Sequence, residues 1–126
     1  MSHSRVDSGY AFENTYGYSR AIRAGNLVFV SGTTARAPDL DGDAYVQAKA
    51  ALAIIETALA EAGARLDSVV RTVVYVLDRS DIDSVARAHR EAFAETRPAS
   101  TIVQVSGLTP AAARVEIEVT AVVTDC

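Results

Sequence analysis

Hydrophobic residues recur along this chain at two different spacings, which predict helices in some segments and strands in others. From Asp43 to Gly63 the apolar positions follow one another every three or four residues. This spacing is typical of one face of a helix about five turns long. Asp41 or Asp43 can cap the start of the helix, and Gly63 suits its end because glycine adopts the left-handed conformation easily.

A second helix is predicted to begin at an approximate capping box formed by Ser80 and Asp83, and the Arg97-Pro98 pair ends it. His89 lies on or beside its apolar face. We therefore interpret His89 as a packing or hydrogen-bonding residue rather than a base. His3 lies in the polar N-terminal segment and is expected to be incidental.

Strands are indicated by short runs rich in β-branched residues or alternating in polarity. The first two such runs flank Gly25-Asn26, a dipeptide that suits the turn of a hairpin. The predicted strands are Tyr18–Arg23, Leu27–Val30, Val69–Leu77, Ser100–Val105 and Val115–Val123.

The predicted order is β-β-α-β-α-β-β, an α+β fold with one mixed sheet and two helices on one face. Residues 1–15 are polar and aperiodic and are expected to form a loose peripheral segment, while residues 16–126 form a single domain. Two helices cover only one face of such a sheet. The other face carries apolar residues, so a homo-oligomer is expected.

The composition is that of a globular chain. Its 126 residues are 49% apolar and 22% charged with a formal charge of −4, which excludes extensive disorder and argues against an obligate nucleic-acid binder. No apolar run reaches the roughly 18 residues of a membrane span, and no signal-peptide pattern is present, so a cytoplasmic location is expected. Cys126 is the only cysteine, which excludes an internal disulfide and a thiolate metal cluster.

Few residues in the sequence are candidates for catalysis or for binding a metal or cofactor. Glu116 and Glu118 share one face of the last strand. They either form a solvated face or, if a second subunit covers them, include a carboxylate whose pKa rises into the range useful for acid–base work. Arg114 could instead pair with one of them. The ligands of a metal site and the glycine patterns of a phosphate loop are lacking, so no metal and no cofactor are expected.

Several segments fit together as one pattern between about residue 12 and residue 123. They are Tyr18–Ala21 with Gly25-Asn26, Phe29–Gly32, Gln47-Ala48 with Ala51-Leu52, Val70–Val76, Glu91–Phe93, Arg97–Thr101 and Val115–Glu118. Together they resemble the reactive-intermediate deaminase family, also called the Rid, YjgF or endoribonuclease L-PSP family. The resemblance implies a chorismate-mutase-like fold and a homotrimer with ligand clefts between adjacent subunits.

The resemblance also implies an activity and its residues. Deaminating members hydrolyse enamine and imine forms of 2-amino acids to 2-keto acids and ammonia. Glu116 matches the glutamate that positions or activates water, while Tyr18 and Gly32 match a tyrosine and a glycine of the pocket. Arg87 falls where deaminases commonly have asparagine, and Ile102 where many members have cysteine.

The largest departure from the family pattern is Ser100, because deaminases have Pro-Ala-Arg-Ser where this chain has Pro-Ala-Ser-Thr. An arginine offers a carboxylate two charged donors, whereas a serine offers one neutral hydroxyl. Binding of a small imino acid is therefore expected to weaken by about tenfold or more. Arg20, Arg87 and Arg97 are the candidates for a replacement cation.

Two functions follow as alternatives. The first is a Rid-type enzyme that hydrolyses a small imine, enamine or related labile metabolite between subunits, with Glu116 as its catalytic residue. Its substrate-binding residues are Tyr18, Gly32, Arg87, Ser100 and Ile102. The alternative is a non-catalytic trimer that binds a small molecule or regulates a partner enzyme. Ribonuclease action is suggested only by a family name, and the acidic charge disfavours it.

Overall fold

The chain folds into a six-stranded sheet with two long helices. The computed structural model describes residues 3–124, so the expectations for Cys126 concern a residue outside the described part. The strands are β1 (Ser4–Val6), β2 (Ala21–Ala24), β3 (Leu27–Thr33), β4 (Val69–Val76), β5 (Ala99–Gln104) and β6 (Val115–Val122). The helices are α1 (Ala11–Tyr16), α2 (Ala44–Glu61) and α3 (Ile82–Phe93). In residues 3–124 no helix is both long and apolar enough to cross a membrane.

The sheet has the strand order β1-β2-β3-β6-β4-β5. All neighbours are antiparallel except β4 and β5, which run parallel. Along β6 every second side chain is buried beneath the helices, whereas Glu116 and Glu118 point to the opposite face. The α+β class and the mixed sheet predicted from the sequence are therefore confirmed.

Helix α2 buries the apolar stripe that its spacing predicted. The side chain of Asp43 caps the helix by accepting a hydrogen bond from the backbone N–H of Val46 at 2.9 Å. Gly63 follows its C-terminus with φ of 84°, the left-handed region that glycine enters without strain. The buried residues of this helix are Ala44, Gln47, Ala48, Ala51, Leu52, Ile55, Ala58 and Leu59.

Helix α3 starts differently from the prediction. The carboxylate of Asp78 accepts the backbone N–H of Ser80 at 2.9 Å, so Ser80 lies in a short turn before the helix. Asp81 occupies the N-cap position and makes no side-chain cap bond. The predicted capping box of Ser80 and Asp83 is therefore wrong, because a nearer aspartate takes the backbone donor.

Two further elements precede the predicted ones. The first predicted strand begins at Tyr18, but β1 lies before it and pairs with β2 at the edge of the sheet, with Val6 opposite Ala21. Val6 is buried, and α1 contributes the buried Glu13. A three-residue strand and a six-residue helix are too short for periodicity to reveal them, and tertiary contacts hold them in place.

The sheet face opposite α2 and α3, here called the open face, carries exposed apolar side chains. Leu27 and Phe29 of β3 are 40% and 46% exposed. Val73 and Tyr75 of β4 lie half-buried on the same face, where Tyr75 stands opposite Glu116. A monomer thus leaves the uncovered apolar surface that the uneven helix coverage predicted.

Candidate functional site

Three of the residues singled out in the sequence meet in one cleft. Tyr18, Gly32 and Glu116 line a depression of about 360 Å³ at the end of β3. We call this cleft the glutamate half-site. Its remaining wall is formed by Phe12, Tyr16, Ser31 and Thr109.

A bulge in β3 brings the backbone of Gly32 against Glu116. Between the pairs Val30–Val119 and Thr33–Ile117, two residues of β3 stand opposite one residue of β6. A Cβ atom on Gly32 would lie 2.5 Å from Glu116 Oε2 and 2.8 Å from its Cδ. The absence of a side chain at position 32 therefore makes room for the carboxylate.

The Glu116 carboxylate is suited to exchange protons. Burial raises its pKa above the usual value, the neighbouring charge of Glu118 raises it further, and Arg20 opposes both. Within residues 3–124 no side-chain or backbone donor forms a hydrogen bond to this carboxylate. Its oxygens are thus free to accept a proton from a water or ligand in the cleft.

A fully buried arginine forms hydrogen bonds to residues that line the glutamate half-site. Arg20 is 0% exposed, and its Nη1 donates to the carbonyl of Gly32 at 2.8 Å and to the Thr33 hydroxyl at 3.1 Å. Its Nη2 donates to the hydroxyl oxygen of Tyr18 at 3.1 Å. Because that oxygen accepts from Arg20, the phenol proton of Tyr18 is free to be donated into the cleft.

The charge of Arg20 is balanced by Glu13. Arg20 Nε donates to Glu13 Oε2 at 3.0 Å, and both side chains are almost completely buried. Burial raises the pKa of Glu13, but hydrogen bonds from Ser8 and the ion pair with Arg20 outweigh it, so the pKa falls below the usual value. Glu13 was not predicted as part of the site, because its segment has no periodicity; the one signal in the sequence was a carboxylate seven residues before an arginine.

Two other residues of the expected site lie elsewhere. Ser100 and Ile102 of β5 pair in register with Thr72 and Val74 of β4 and share their helix-covered side. With His89 they line a small cavity of about 110 Å³. We call this cavity, completed by Val74, Val85 and Ala86, the serine half-site.

The two half-sites lie on opposite faces of the sheet. Glu116 is opposite Tyr75 on the open face, and Tyr75 pairs in turn with Val103 of β5. Side chains alternate along a strand, so Ser100 and Ile102 point away from that face. A single chain therefore does not bring Ser100 and Glu116 together.

None of the three arginines considered as substitutes for the missing arginine presents an unpaired charge in either half-site. Arg20 is paired with Glu13. Arg87 is exposed on α3, where its guanidinium stacks 3.9 Å from the centre of the Tyr45 ring, so the structure separates it from the other expected binding residues. Arg97 is exposed in the segment between α3 and β5 and lines neither half-site.

The other charged groups in β6 and directly before it have structural partners. Arg114 donates to Asp81 at 2.8 and 3.1 Å, and not to either glutamate of the strand. Glu118 accepts a hydrogen bond from the hydroxyl of Tyr75 at 2.5 Å. This bond, followed by burial and the charges of both glutamates, raises the pKa of Tyr75 to about 12. Glu116 is thus the carboxylate of this pair that remains available.

Fold and site together define a class: a mixed sheet with helices on one face, carrying a half-buried glutamate beside a glycine at the sheet end. A sequence model of the family described as Endoribonuclease L-PSP matches residues 9–123. The chain belongs to this family, which is also called Rid or YjgF. Where the resemblance to deaminases implies an arginine, this chain has Ser100.

Individual relatives cover nearly the whole chain. An uncharacterized protein of Streptomyces coelicolor is 41% identical over 120 residues, 93% of this chain and 90% of that protein. The crystal structure of a YjgF/YER057c/UK114 family member from Mycobacterium tuberculosis is 45% identical, with a TM-score of 0.90 over 97% of this chain and 100% of that one. A 2-iminobutanoate/2-iminopropanoate deaminase of Mus musculus is 32% identical over 109 residues, 83% of this chain and 80% of that protein.

Proposed function

We propose that this protein hydrolyses a small imine or enamine to a carbonyl compound and ammonia, in clefts between the subunits of a homotrimer. Relatives at about 30% identity are named 2-iminobutanoate/2-iminopropanoate deaminases, which supports the reaction class. The cytoplasmic location expected from the sequence stays a prediction.

The observation that carries this proposal is the Glu116 carboxylate, half-buried against Gly32, with a raised pKa and no protein donor among the described residues. In the proposed reaction Glu116 accepts a proton from water as the water oxygen bonds to the imine carbon. The nitrogen of the adduct takes that proton from Glu116, which gives a neutral carbinolamine. Glu116 then passes the hydroxyl proton of the carbinolamine to the nitrogen as the carbon–nitrogen bond breaks, so ammonia leaves and the carbonyl double bond forms.

Tyr18 supplies the second proposed contact. Its hydroxyl accepts from Arg20, so it donates its own proton to an acceptor atom of the substrate. This places a donor and a proton acceptor on the same wall of the glutamate half-site. A substrate with an oxygen acceptor near its imine carbon suits both groups.

Assembly is proposed because each half-site is open in the monomer. Glu116 and Ser100 lie on opposite sheet faces, so a site that uses both needs a second copy. The exposed apolar residues of the open face, including Leu27 and Phe29, provide a surface for such association. A closed ring of three copies would shield Glu116 from water and raise its pKa further.

The test compares Glu116→Gln with Glu118→Gln, the same change two residues away on the same face. Imines are generated from a panel of amino acids by an amino-acid oxidase, and carbonyl release is measured. Glu116→Gln is expected to lower kcat/KM by about 10²–10⁴-fold, the usual contribution of general acid–base catalysis. Glu118→Gln is expected to retain most of the activity. Equal rates for Glu116→Gln and the unaltered protein, or no acceleration with any imine, would contradict the proposal.

The second candidate is a non-catalytic trimer that binds a small molecule. Ser100 favours it, because the serine half-site has no charged side chain among its described lining residues. This function predicts that a metabolite raises the Tm without being converted. Product formation with that same metabolite would exclude it.

A further inference from the structure

A chain of hydrogen bonds runs along the serine half-site, from His89 of α3 through Thr72 of β4 to Ser100 of β5. His89 Nε2 lies 2.8 Å from the hydroxyl oxygen of Thr72. The Thr72 hydroxyl oxygen also lies 2.8 Å from Ser100 Oγ, within hydrogen-bond distance. Thr72 is 0% exposed, whereas Ser100 is exposed, so the chain runs from the interior to a ligand-accessible surface.

Each hydroxyl has one proton, so the hydrogen bonds of these three groups can run in one of two directions. When Thr72 donates to Ser100, His89 donates to Thr72 through a proton on Nε2; when Ser100 donates to Thr72, the proton of a neutral His89 lies on Nδ1. Burial lowers the pKa of His89, and no charged group of the described residues counteracts it, so the ring is neutral at physiological pH. In the first direction the oxygen of Ser100 is an acceptor within the protein, and its own proton is available to a ligand.

We propose that His89, acting through Thr72, holds Ser100 as a hydrogen-bond donor for an uncharged carbonyl oxygen, so that the substrate is an imine bearing a carboxamide or ester rather than a carboxylate. This inference rests on the proposed function and names the substrate class of the same site. His89 and Thr72 are positioning residues, since they act on the ligand through Ser100.

The surroundings of Ser100 favour a neutral ligand group. Val74, Val85 and Ile102 line the cavity, and no charged side chain of the described part of the chain joins them. A carboxylate buried there would lose its hydration without gaining a cation, whereas a neutral carbonyl oxygen needs only one donor. The negative charge of Glu116, which a second copy would bring to the same cleft, adds to the discrimination against a carboxylate.

The first test measures binding of two matched probes, pyruvate and its amide pyruvamide, by calorimetry. Pyruvamide is expected to bind at least about tenfold more tightly. Ser100→Ala and Thr72→Val are each expected to weaken pyruvamide binding about threefold to tenfold, and Thr72→Ser to preserve it. Ser100→Arg is expected to reverse the preference. Tighter binding of pyruvate, binding of neither probe, or equal binding by Thr72→Val and Thr72→Ser would overturn the inference.

The second test needs neither turnover nor ligand. In a nitrogen NMR spectrum of the histidine rings, His89 is expected to be neutral with its proton on Nε2 in the unaltered protein and in Thr72→Ser. A proton on Nδ1 would reverse the chain and overturn the inference. A protein that hydrolyses no imine yet binds pyruvamide more tightly than pyruvate, with the His89 proton on Nε2, would remove the proposed activity but leave the role of Ser100 as a donor to a neutral carbonyl oxygen standing. A protein that hydrolyses carboxylate-bearing imines faster than amide-bearing imines would support the proposed activity and overturn this inference.

Discussion

The substitution Gly32→Ala tests whether the position of the Glu116 carboxylate matters for function. An added Cβ would lie 2.5 Å from Glu116 Oε2, where ordinary contacts begin near 3.4 Å, so the carboxylate must move by about 1 Å. Gly32 has no left-handed φ, so alanine fits its backbone conformation. The clash is with the far end of a flexible side chain, which can rotate away.

This geometry predicts a loss of activity with little loss of stability. A misplacement of about 1 Å at a reacting group costs on the order of 10²-fold in rate. The free energy of unfolding is expected to fall by less than about 1 kcal/mol, below the usual cost of overpacking a rigid core. The pKa of Glu116 is expected to move down toward the ordinary range as the carboxylate turns to solvent.

The assay combines imine hydrolysis, urea unfolding and a carboxyl NMR titration of Glu116. Gly107→Ala is the matched control, since an added Cβ there meets nothing within 4 Å and the residue has no left-handed φ. That variant is expected to match the unaltered protein in all three readouts. If Gly32→Ala retained full kcat/KM and an unchanged Glu116 pKa, the close approach would have no role in positioning the carboxylate.

Three further predictions follow from the buried and half-buried charges. Arg20→Met leaves Glu13 buried without its partner, so the free energy of unfolding measured by urea titration is expected to fall by about 3–5 kcal/mol. Arg65→Met removes an exposed ion pair and is expected to leave the free energy of unfolding nearly unchanged. The folded state raises the pKa of Glu116, so the ionised carboxylate destabilises the folded protein and Glu116→Gln is expected to be more stable than the unaltered protein at neutral pH. This difference in stability should vanish below about pH 4, where the Glu116 carboxyl is protonated in both the folded and the unfolded protein. A difference that grew on acidification would refute that sign. In an absorbance titration one tyrosine is expected to ionise only at about pH 12, and Tyr75→Phe should remove that step while keeping the others.

The repeated patterns of the chain were sufficient to predict the main elements of the fold. The apolar spacing of α2 and the alternation along β6 extend over enough residues to identify element and face. β1 and α1 were missed because such short polar segments show no periodicity and take their structure from the pairing of Val6 with Ala21 and from the ion pair of Glu13 with Arg20.

The candidate site was predictable only in part. The resemblance pointed to Tyr18, Gly32 and Glu116, which the fold brings together. The side chain of Ser100 lies on the helix-covered face because of the register of β5 against β4. A single sequence does not reveal that register. The burial of Arg20 was not predictable either, because an arginine side chain is expected to be solvent-exposed unless its hydrogen-bond and ion-pair partners are known.

Mixed assemblies test most directly the central claim that one copy supplies Glu116 and another supplies Ser100. Two variants, Glu116→Gln and Ser100→Trp, each inactivate one half-site and are expected to be inactive alone. When they are unfolded, mixed in equal amounts and refolded together, about a quarter of the clefts combine two intact half-sites, and the activity should return to about that fraction. A mixture as inactive as its components, while the unaltered protein is active after the same treatment, would contradict the account.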